Sequence, residues 1–265
     1  YSDDPVLQYR PAFTRSMPVQ ILLTGIIFTL AAILLIQLLF TARYHWQLSP
    51  GNYVLQVTGV ISLGSSLVAS MYKILTVTAE ESQEWPYMLS YIAVDIPPLH
   101  NRGSWATAEL TGWLVMNGII SALIQMVHVH FLTLLFPSKL VKNLIFILLV
   151  PPTILHGVVQ VLPVWTNPTI VSMSHYLANI CSATLALLFT LMLLYWAFIS
   201  NRKNAWRTEG GTAAFGVAAM LLSIIMTIMT FVYIPTKDQY EWYPELVHAI
   251  MMWQSYLGWW WWAGS

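Results

Sequence analysis

The sequence predicts an all-α polytopic membrane protein, a bundle of about seven transmembrane helices that forms one domain over residues 1–265. Of the 265 residues, 57% are hydrophobic and only 8% are charged, whereas a soluble domain carries roughly 25% charged residues. Seven stretches are also long and apolar enough to cross a bilayer, whose core needs about 20 mostly apolar residues per helix. Lipid is therefore the expected main solvent of this chain.

The predicted spans cover residues 20–40, 52–75, 105–136, 140–162, 169–199, 210–234 and 242–262. Prolines fall at or near most of their ends, where helices are expected to stop. Pro151 and Pro152 are different, because they lie inside the fourth span and should kink it. The apolar stretch MLSYIAVDIP, residues 88–97, is too short to cross a bilayer. It predicts an interfacial or bundle-capping segment, with a re-entrant segment as the alternative.

The distribution of basic residues predicts the orientation. Six bases lie in the loops after the first, third and fifth spans, namely Arg43, Lys139, Lys142, Arg202, Lys203 and Arg207. Four lie on the opposite side, namely Arg10, Arg15, Arg102 and Lys237. Because cytoplasmic loops carry the excess of bases, the N-terminus is expected outside or in a lumen and the C-terminus in the cytosol.

Several classes of function lack their sequence signals. Eleven bases balance eleven acids, so net charge suggests no nucleic-acid partner. The chain has neither a Walker A sequence nor a G-x-S-x-G motif, and its last span has no lysine for a retinal Schiff base. Cys181 is the single cysteine, which rules out an internal disulfide. No catalytic residue and no cofactor, haem included, are expected, and a non-enzymatic role is favoured.

Polar residues inside spans are where function is expected, because their burial in lipid is costly. Counting along the antiparallel spans puts one set near the outer face: Glu109, His156, Gln160, His175, Asn179, Glu245 and His248. His156 and His175 lie at one depth on adjacent spans, and Glu245 and His248 share one helix face. Two carboxylates and three imidazoles are therefore expected to converge in an outward-facing ligand-binding pocket.

Three interpretations of that cluster remain open from sequence. The residues could serve structure alone, with the acids placed favourably in first helical turns. They could bind a ligand or a proton, as in a pH sensor. They could also bind zinc, which takes three or four ligands at about 2.0–2.2 Å, although no tight H-E-x-x-H spacing occurs. At the opposite end, His128 and His130 are expected at the membrane interface.

A small polar stripe marks the second span, where Thr58, Ser62, Ser66 and Ser70 recur every four residues. Such stripes are typical of close helix packing in membranes, and a hydrophilic path along that face is the alternative. The last span ends in Trp259, Trp260, Trp261 and Trp262, which predict an aromatic belt at the interface.

Seven spans and an outer N-terminus resemble receptor topology, but two receptor motifs are missing. The third span ends in His128-Val-His130-Phe where rhodopsin-like receptors have Asp/Glu-Arg-Tyr, and the last span lacks Asn-Pro-x-x-Tyr. The stretches SDDPVLQY, RSMPVQILLTGI and EWPYMLSYIAVDIPP are similar to a family of fungal seven-helix endomembrane proteins without assigned chemistry. That resemblance covers roughly the first hundred residues. It implies a fungal source and a vacuolar location, and it transfers no catalytic residue.

The sequence therefore predicts a non-enzymatic, receptor-like or sensor membrane protein with an outward-facing polar pocket for a small ligand, a lipid or a proton. A membrane-embedded accessory subunit of a larger complex or transporter is one alternative, and a metal-dependent intramembrane hydrolase is another. The expected partners are membrane lipids and a protein within the membrane. The expected location is an endomembrane such as the vacuole, with the plasma membrane as the alternative.

Overall fold

The computed structural model describes residues 11–84, 88–94, 96–97, 105–165, 167–236 and 242–265. Over those residues the chain forms nine α-helices and no β-strand. Three bases that contribute to the predicted orientation, Arg10, Arg102 and Lys237, lie outside them. The all-α prediction is confirmed for the described part of the chain.

Six of the described helices are long and apolar enough to cross a membrane. They are α1 (Met17–Phe40), α3 (Pro50–Glu81), α4 (Thr107–Leu135), α5 (Lys139–Val159), α6 (Pro168–Tyr195) and α8 (Thr212–Thr236). Two short helices, α2 (Ala42–Leu48) and α7 (Arg202–Ala205), lie in the connections between them. The prediction of an integral membrane bundle is confirmed at this level, while its orientation stays a prediction.

The seventh long helix, α9 (Tyr243–Gly264), is not among those six. Polar residues such as Glu245, His248 and Gln254 interrupt its apolar sequence. It lies inside the bundle, where it packs against α1, α3, α4 and α8 and buries half of its residues. A seventh transmembrane span therefore stays a prediction, and the other helices supply much of the surroundings of α9.

The segment after α3 caps one end of the bundle. Residues 88–94 run antiparallel to the start of α1, with Ser16 bridged to Ala93. The Met17 amide donates to the Ile92 carbonyl (3.0 Å), and the Val94 amide donates to the Arg15 carbonyl (3.0 Å). Ile92 and Val94 are fully buried against Met17 and Ile74. The described residues of MLSYIAVDIP therefore pack against α1 and α3, as predicted for a bundle-capping segment, and the re-entrant alternative stays a prediction.

Helix α5 runs from Lys139 to Val159 through Pro151 and Pro152. The hydroxyl of Thr153 donates to the Leu149 carbonyl one turn earlier (2.8 Å). The proline pair therefore leaves the helix continuous, and the predicted kink stays a prediction.

A contact between two glycines fixes how closely α4 and α5 approach. A Cβ atom on Gly118 would lie 2.6 Å from the Gly157 carbonyl oxygen, and one on Gly157 would lie 2.9 Å from the Gly118 carbonyl oxygen. Both obstacles are backbone atoms, so a side chain at either position would force the helices apart. Small residues that allow such approach are typical of helix interfaces in membranes.

We expect Gly118→Ala to destabilise the protein by about 1–3 kcal/mol, the usual effect of overpacking. Thermal unfolding of the purified protein measures this. Gly112→Ala is the matched control on the same helix, because a Cβ atom there meets nothing within 4 Å. That variant should keep or raise the stability, since alanine favours helix over glycine by about 1 kcal/mol. Equal unfolding temperatures for the two variants would contradict the close contact.

Aromatic rings enclose His45 at the end of the bundle opposite the capping segment. The His45 ring stacks on Trp259 with a centroid distance of 3.5 Å, and Tyr53 and Tyr256 each lie 5.8 Å away. His45 is fully buried, and neither of its ring nitrogens has a hydrogen-bond partner among the residues that the structure describes. Because burial removes water from the charged form, it lowers the pKa of His45 from 6.5 to about 4.

We expect part of the acid sensitivity of the fold to come from His45. The unfolded chain binds a proton near the ordinary pKa of 6.5, whereas the folded chain binds it only near the pKa of about 4. This contribution to stability is therefore complete above pH 6.5 and falls as the pH decreases toward 4. His45→Phe, which keeps a ring against Trp259, should show a smaller loss of unfolding temperature between pH 7 and pH 5.

Tyr44→Phe is the control for that measurement. Tyr44 lies on the same short helix and is exposed. This variant should retain the wild-type dependence on pH, and an unchanged dependence in His45→Phe would contradict the assignment.

Candidate functional site

A cavity of about 280 Å³ lies at the capped end of the bundle. It lies where α1 and α9 begin and α3 and α5 end, and Val94 and Ile96 of the capping segment line it. Its volume is close to the lower end of the roughly 300–1,000 Å³ of small-molecule pockets. Apolar side chains such as Leu63, Ile120 and Val247 share the lining with polar ones.

Six of the seven predicted site residues line this cavity. They are His156, Gln160, His175, Asn179, Glu245 and His248. They come from α5 and its C-terminal end, from α6 and from α9, so separate helices bring them together. The expected convergence of three imidazoles is therefore present, and the binding role of these residues stays a prediction.

Glu109 does not join them. Its carboxylate pairs with the Lys73 ammonium group, which also lies 4.7 Å from the centre of the Trp105 ring. This pair is partly exposed and joins α3 to α4. The expectation of two carboxylates in the pocket is thus wrong, since Lys73 holds Glu109 away from the lining described for the cavity. Glu245 is the carboxylate that the described lining contains.

A chain of hydrogen bonds connects two of the cavity histidines. His156 Nδ1 lies 2.9 Å from the Ala178 carbonyl oxygen, and His156 Nε2 accepts from the Gln160 amide nitrogen (2.9 Å). Ser121 Oγ donates to Gln160 Oε1 (3.0 Å) and lies 3.3 Å from His248 Nε2. The chain therefore crosses from α6 through α5 and α4 to α9.

The direction of these bonds determines both histidine tautomers. The Ala178 carbonyl can only accept, so His156 carries its proton on Nδ1. The one hydroxyl proton of Ser121 is used toward Gln160, so His248 donates from Nε2 to Ser121. In this arrangement His156 is neutral, because its Nδ1 donates and its Nε2 accepts.

Protonation of His156 would exchange the donors and acceptors along this chain of hydrogen bonds. A proton on Nε2 faces the donating amide nitrogen, so the Gln160 amide must rotate to present its oxygen. Its amide nitrogen then faces Ser121, whose hydroxyl proton turns toward His248 Nε2. His248 would carry its proton on Nδ1 instead. The amide does not pass a proton along, but it couples the charge of His156 to the tautomer of His248.

A hydrogen bond from α3 orients the carboxyl group of Glu245. Its Oε1 accepts from the Ser70 hydroxyl (2.8 Å), and it lies in the first turn of α9, where the helix dipole favours an acid. Over the described residues, no basic side chain lies within ion-pairing distance of it. The carboxylate is therefore available to a hydrogen-bond donor or a cation inside the cavity.

Several polar residues at or near the site were not predicted from the sequence. Asn117 and Ser121 line the cavity, and Gln125 and His128 continue the same side of α4. These four residues recur every three or four positions, a spacing from which a polar face of α4 could have been predicted. The polar stripe on α3 was predicted to pack against other helices. This holds for Ser66 and Ser70, which are buried at the cavity, but not for Thr58, which is exposed.

His128 corrects another expectation. It lies buried inside the bundle rather than at the membrane interface, with Nε2 2.9 Å from the Met251 carbonyl oxygen. Its ring stacks on Phe189 with a centroid distance of 4.2 Å. The sequence could not separate the two positions, because polar residues near a span end fit either one.

Within the described part of the chain, no three His, Cys, Asp or Glu side chains lie close enough together to hold a metal ion. His156 uses both ring nitrogens in the hydrogen-bond chain. The zinc interpretation therefore gains no support from the geometry.

No family model, no curated protein and no solved structure matches the chain. The cavity and its hydrogen bonds are therefore the basis for a functional assignment.

We expect nuclear magnetic resonance of ¹⁵N-histidine-labelled protein to show the coupling between the two imidazoles. At neutral pH His156 should be protonated on Nδ1 and His248 on Nε2. Acidification that charges His156 should move the His248 proton to Nδ1. Gln160→Leu should abolish this response of His248, because it removes the group that rotates. Gln37→Leu, on an exposed face of α1, should preserve it, and a His248 response that survives in Gln160→Leu would disprove the coupling.

Proposed function

We propose that the protein is a non-enzymatic, receptor-like or sensor membrane protein that binds a small ligand in the capped cavity. The observation that carries this proposal is the enclosure of Glu245, His156 and His248 in one cavity of about 280 Å³. Intramembrane ionisable residues are costly, and they mark ligand or ion sites far more often than lipid-facing surface. The Ser70 and Gln160 hydrogen bonds pre-orient these groups for a ligand.

The chemistry of the lining favours a small amphipathic ligand with an amine. Glu245 supplies a carboxyl group beside apolar side chains, including Leu63 and Val247. An ammonium group would form a charge-assisted hydrogen bond with the carboxylate, and a short alkyl chain would bury against the apolar lining. A bound donor near His156 would also compete for the same nitrogen that accepts from Gln160. Ligand and proton would then act on one hydrogen-bond chain.

We expect butylamine, used as a probe, to raise the unfolding temperature of the purified protein in a saturable way. Glu245→Gln should weaken this response at least tenfold, since a hydrogen bond to a charged group contributes roughly 1.5–3 kcal/mol. Glu81→Gln is the control, because Glu81 is exposed at the end of α3. Butanol should give a weaker response that does not depend on Glu245.

A wild-type protein without a saturable response to butylamine would contradict the amine site. Equal responses to butylamine and butanol, unchanged in Glu245→Gln, would show that the carboxylate does not take part in binding.

The proposed orientation puts the cavity on the outer or lumenal side, with α9 as the seventh span and a fungal endomembrane such as the vacuole as the location. The bias of basic residues toward the other side supports this orientation. In a Cys181→Ala background, Ser200→Cys should react with an impermeant maleimide only after the membrane is permeabilised, and Ser82→Cys should react in intact membranes. The reverse pattern would overturn the orientation.

A further inference from the structure

Within the described part of the chain, five buried polar side chains at the end opposite the cavity have no hydrogen-bond partner. They are His45, Asn52, Gln56, Gln254 and Ser255, each 0% exposed. Both polar atoms of each amide, both ring nitrogens of His45 and the Ser255 hydroxyl are unpartnered. A buried group left in this condition costs about 1–3 kcal/mol. Such a concentration of unsatisfied groups indicates that something other than a protein side chain binds them.

Contacts between α3 and α9 show how the residues of these two helices are aligned. The two helices run antiparallel, joined by Ser70 and Glu245 near the cavity and by Ser49 and Trp259 at the far end. Between these pairs, a Cβ atom on Gly59 would lie 3.1 Å from the Met252 methyl group. Gln56 lies three residues from Gly59 on α3, and Ser255 lies three residues from Met252 on α9, both toward the far end. Gln56 and Ser255 therefore lie at the same level of the interface.

The other members of the set follow from the same register. Asn52 lies one turn from Gln56 on the same face of α3, and Ser255 lies one turn from Trp259 on the same face of α9. Gln254 lies at the depth of Ser255, on the adjoining face of α9. His45 stacks on Trp259, whose indole nitrogen donates to Ser49 Oγ (2.6 Å). The aromatic rings around His45 thus close this end of the interface.

The chemistry of the set identifies the occupant. A cation would satisfy the amide oxygens and leave the three amide NH₂ groups without acceptors. An anion would accept from the NH₂ groups and leave the amide oxygens without donors. The set itself contains no charged side chain at neutral pH, because burial keeps His45 neutral by lowering its pKa to about 4. Water both donates and accepts, and buried waters typically bind about three otherwise unsatisfied polar groups.

We propose that His45, Asn52, Gln56, Gln254 and Ser255 form a second polar site, which holds a cluster of ordered water molecules. This site is separate from the cavity. His248 at the cavity and Gln254 are six residues apart on α9, which is about 9 Å along a helix. Met251, Met252 and Val127 fill the interface between them and are buried. The α3–α4–α9 interface thus carries polar sites at both ends, and in the layer between them His128 and Gln125 of α4 contact Met251.

X-ray hydroxyl-radical footprinting of the purified protein tests the second site. Irradiation makes radicals from water in place, so an ordered water marks side chains beside it even where bulk solvent does not reach. Met252 and Trp259 border the site, and both are buried. We expect them to be oxidised several-fold faster than Trp196, which is also buried but packs on Trp261 on another side of α9.

The double variant Gln56→Leu/Gln254→Leu should reduce the oxidation of Met252 and Trp259 to the rate of Trp196. Gln37→Leu is the matched control, because Gln37 is exposed on α1, and it should leave both rates unchanged. Wild-type rates for Met252 and Trp259 no higher than that of Trp196 would overturn the proposal. That comparison needs no variant, so it decides the matter even if the double variant does not fold. It also uses no cavity ligand, so its outcome is independent of the proposed function.

Discussion

The need to enclose the polar side chains of α9 is the constraint on which the rest of the structure depends. Glu245, His248 and Gln254 lie along one helix, and lipid offers no partner for any of them. Helices α1, α3, α4 and α8 surround α9, while the faces of α1 and α8 that point away from it are apolar and exposed. Trp253 of α9 also has its partner inside the bundle, since its indole nitrogen donates to the Leu30 carbonyl on α1 (3.0 Å).

The cavity is a consequence of how the enclosing helices meet at one end. The glycine contact holds α4 against α5, which brings Ser121 within 3.0 Å of Gln160. The capping segment adds apolar side chains such as Val94 above them. Because four helices contribute to the hydrogen-bond chain, its geometry depends on how all four pack. Under the proposed function, ligand binding to this hydrogen-bond chain would change the packing of the helices that contribute to it.

The two ends of the α3–α4–α9 interface satisfy their polar groups differently. At the cavity, Ser70 and Ser121 hydrogen-bond to Glu245 and to Gln160. At the far end, the amides of Gln56 and Gln254 have no hydrogen-bond partner among the described residues, and aromatic rings around His45 close the interface. Methionine is well suited to the layer between, because its flexible side chain fills irregular gaps without needing hydrogen bonds.

Much of this protein could be predicted from sequence, because lipid solvation imposes a pattern that is read along the chain. Low charge and runs of about 20 apolar residues identify membrane helices without knowledge of their packing. The depth of a side chain also follows from counting along antiparallel spans. That is why six of the seven predicted residues, His156 and His175 among them, line one cavity. The exception, Glu109, has the predicted depth, but its carboxylate pairs with Lys73 instead.

Rotation about the helix axis and the partners of each polar group were decided only by the tertiary structure. Thr58 and Ser66 belong to the same sequence stripe, yet one is exposed and the other buried, because a period of four drifts around a helix of 3.6 residues per turn. Nothing local distinguishes Gln56, which lacks a partner, from Gln160, which has two. The sequence by itself determined that these groups lie on the long helices of the bundle and toward which helix end each one lies. Which of them meet was decided by helix packing, since hydrogen bonds between helices depend on contacts distant in sequence.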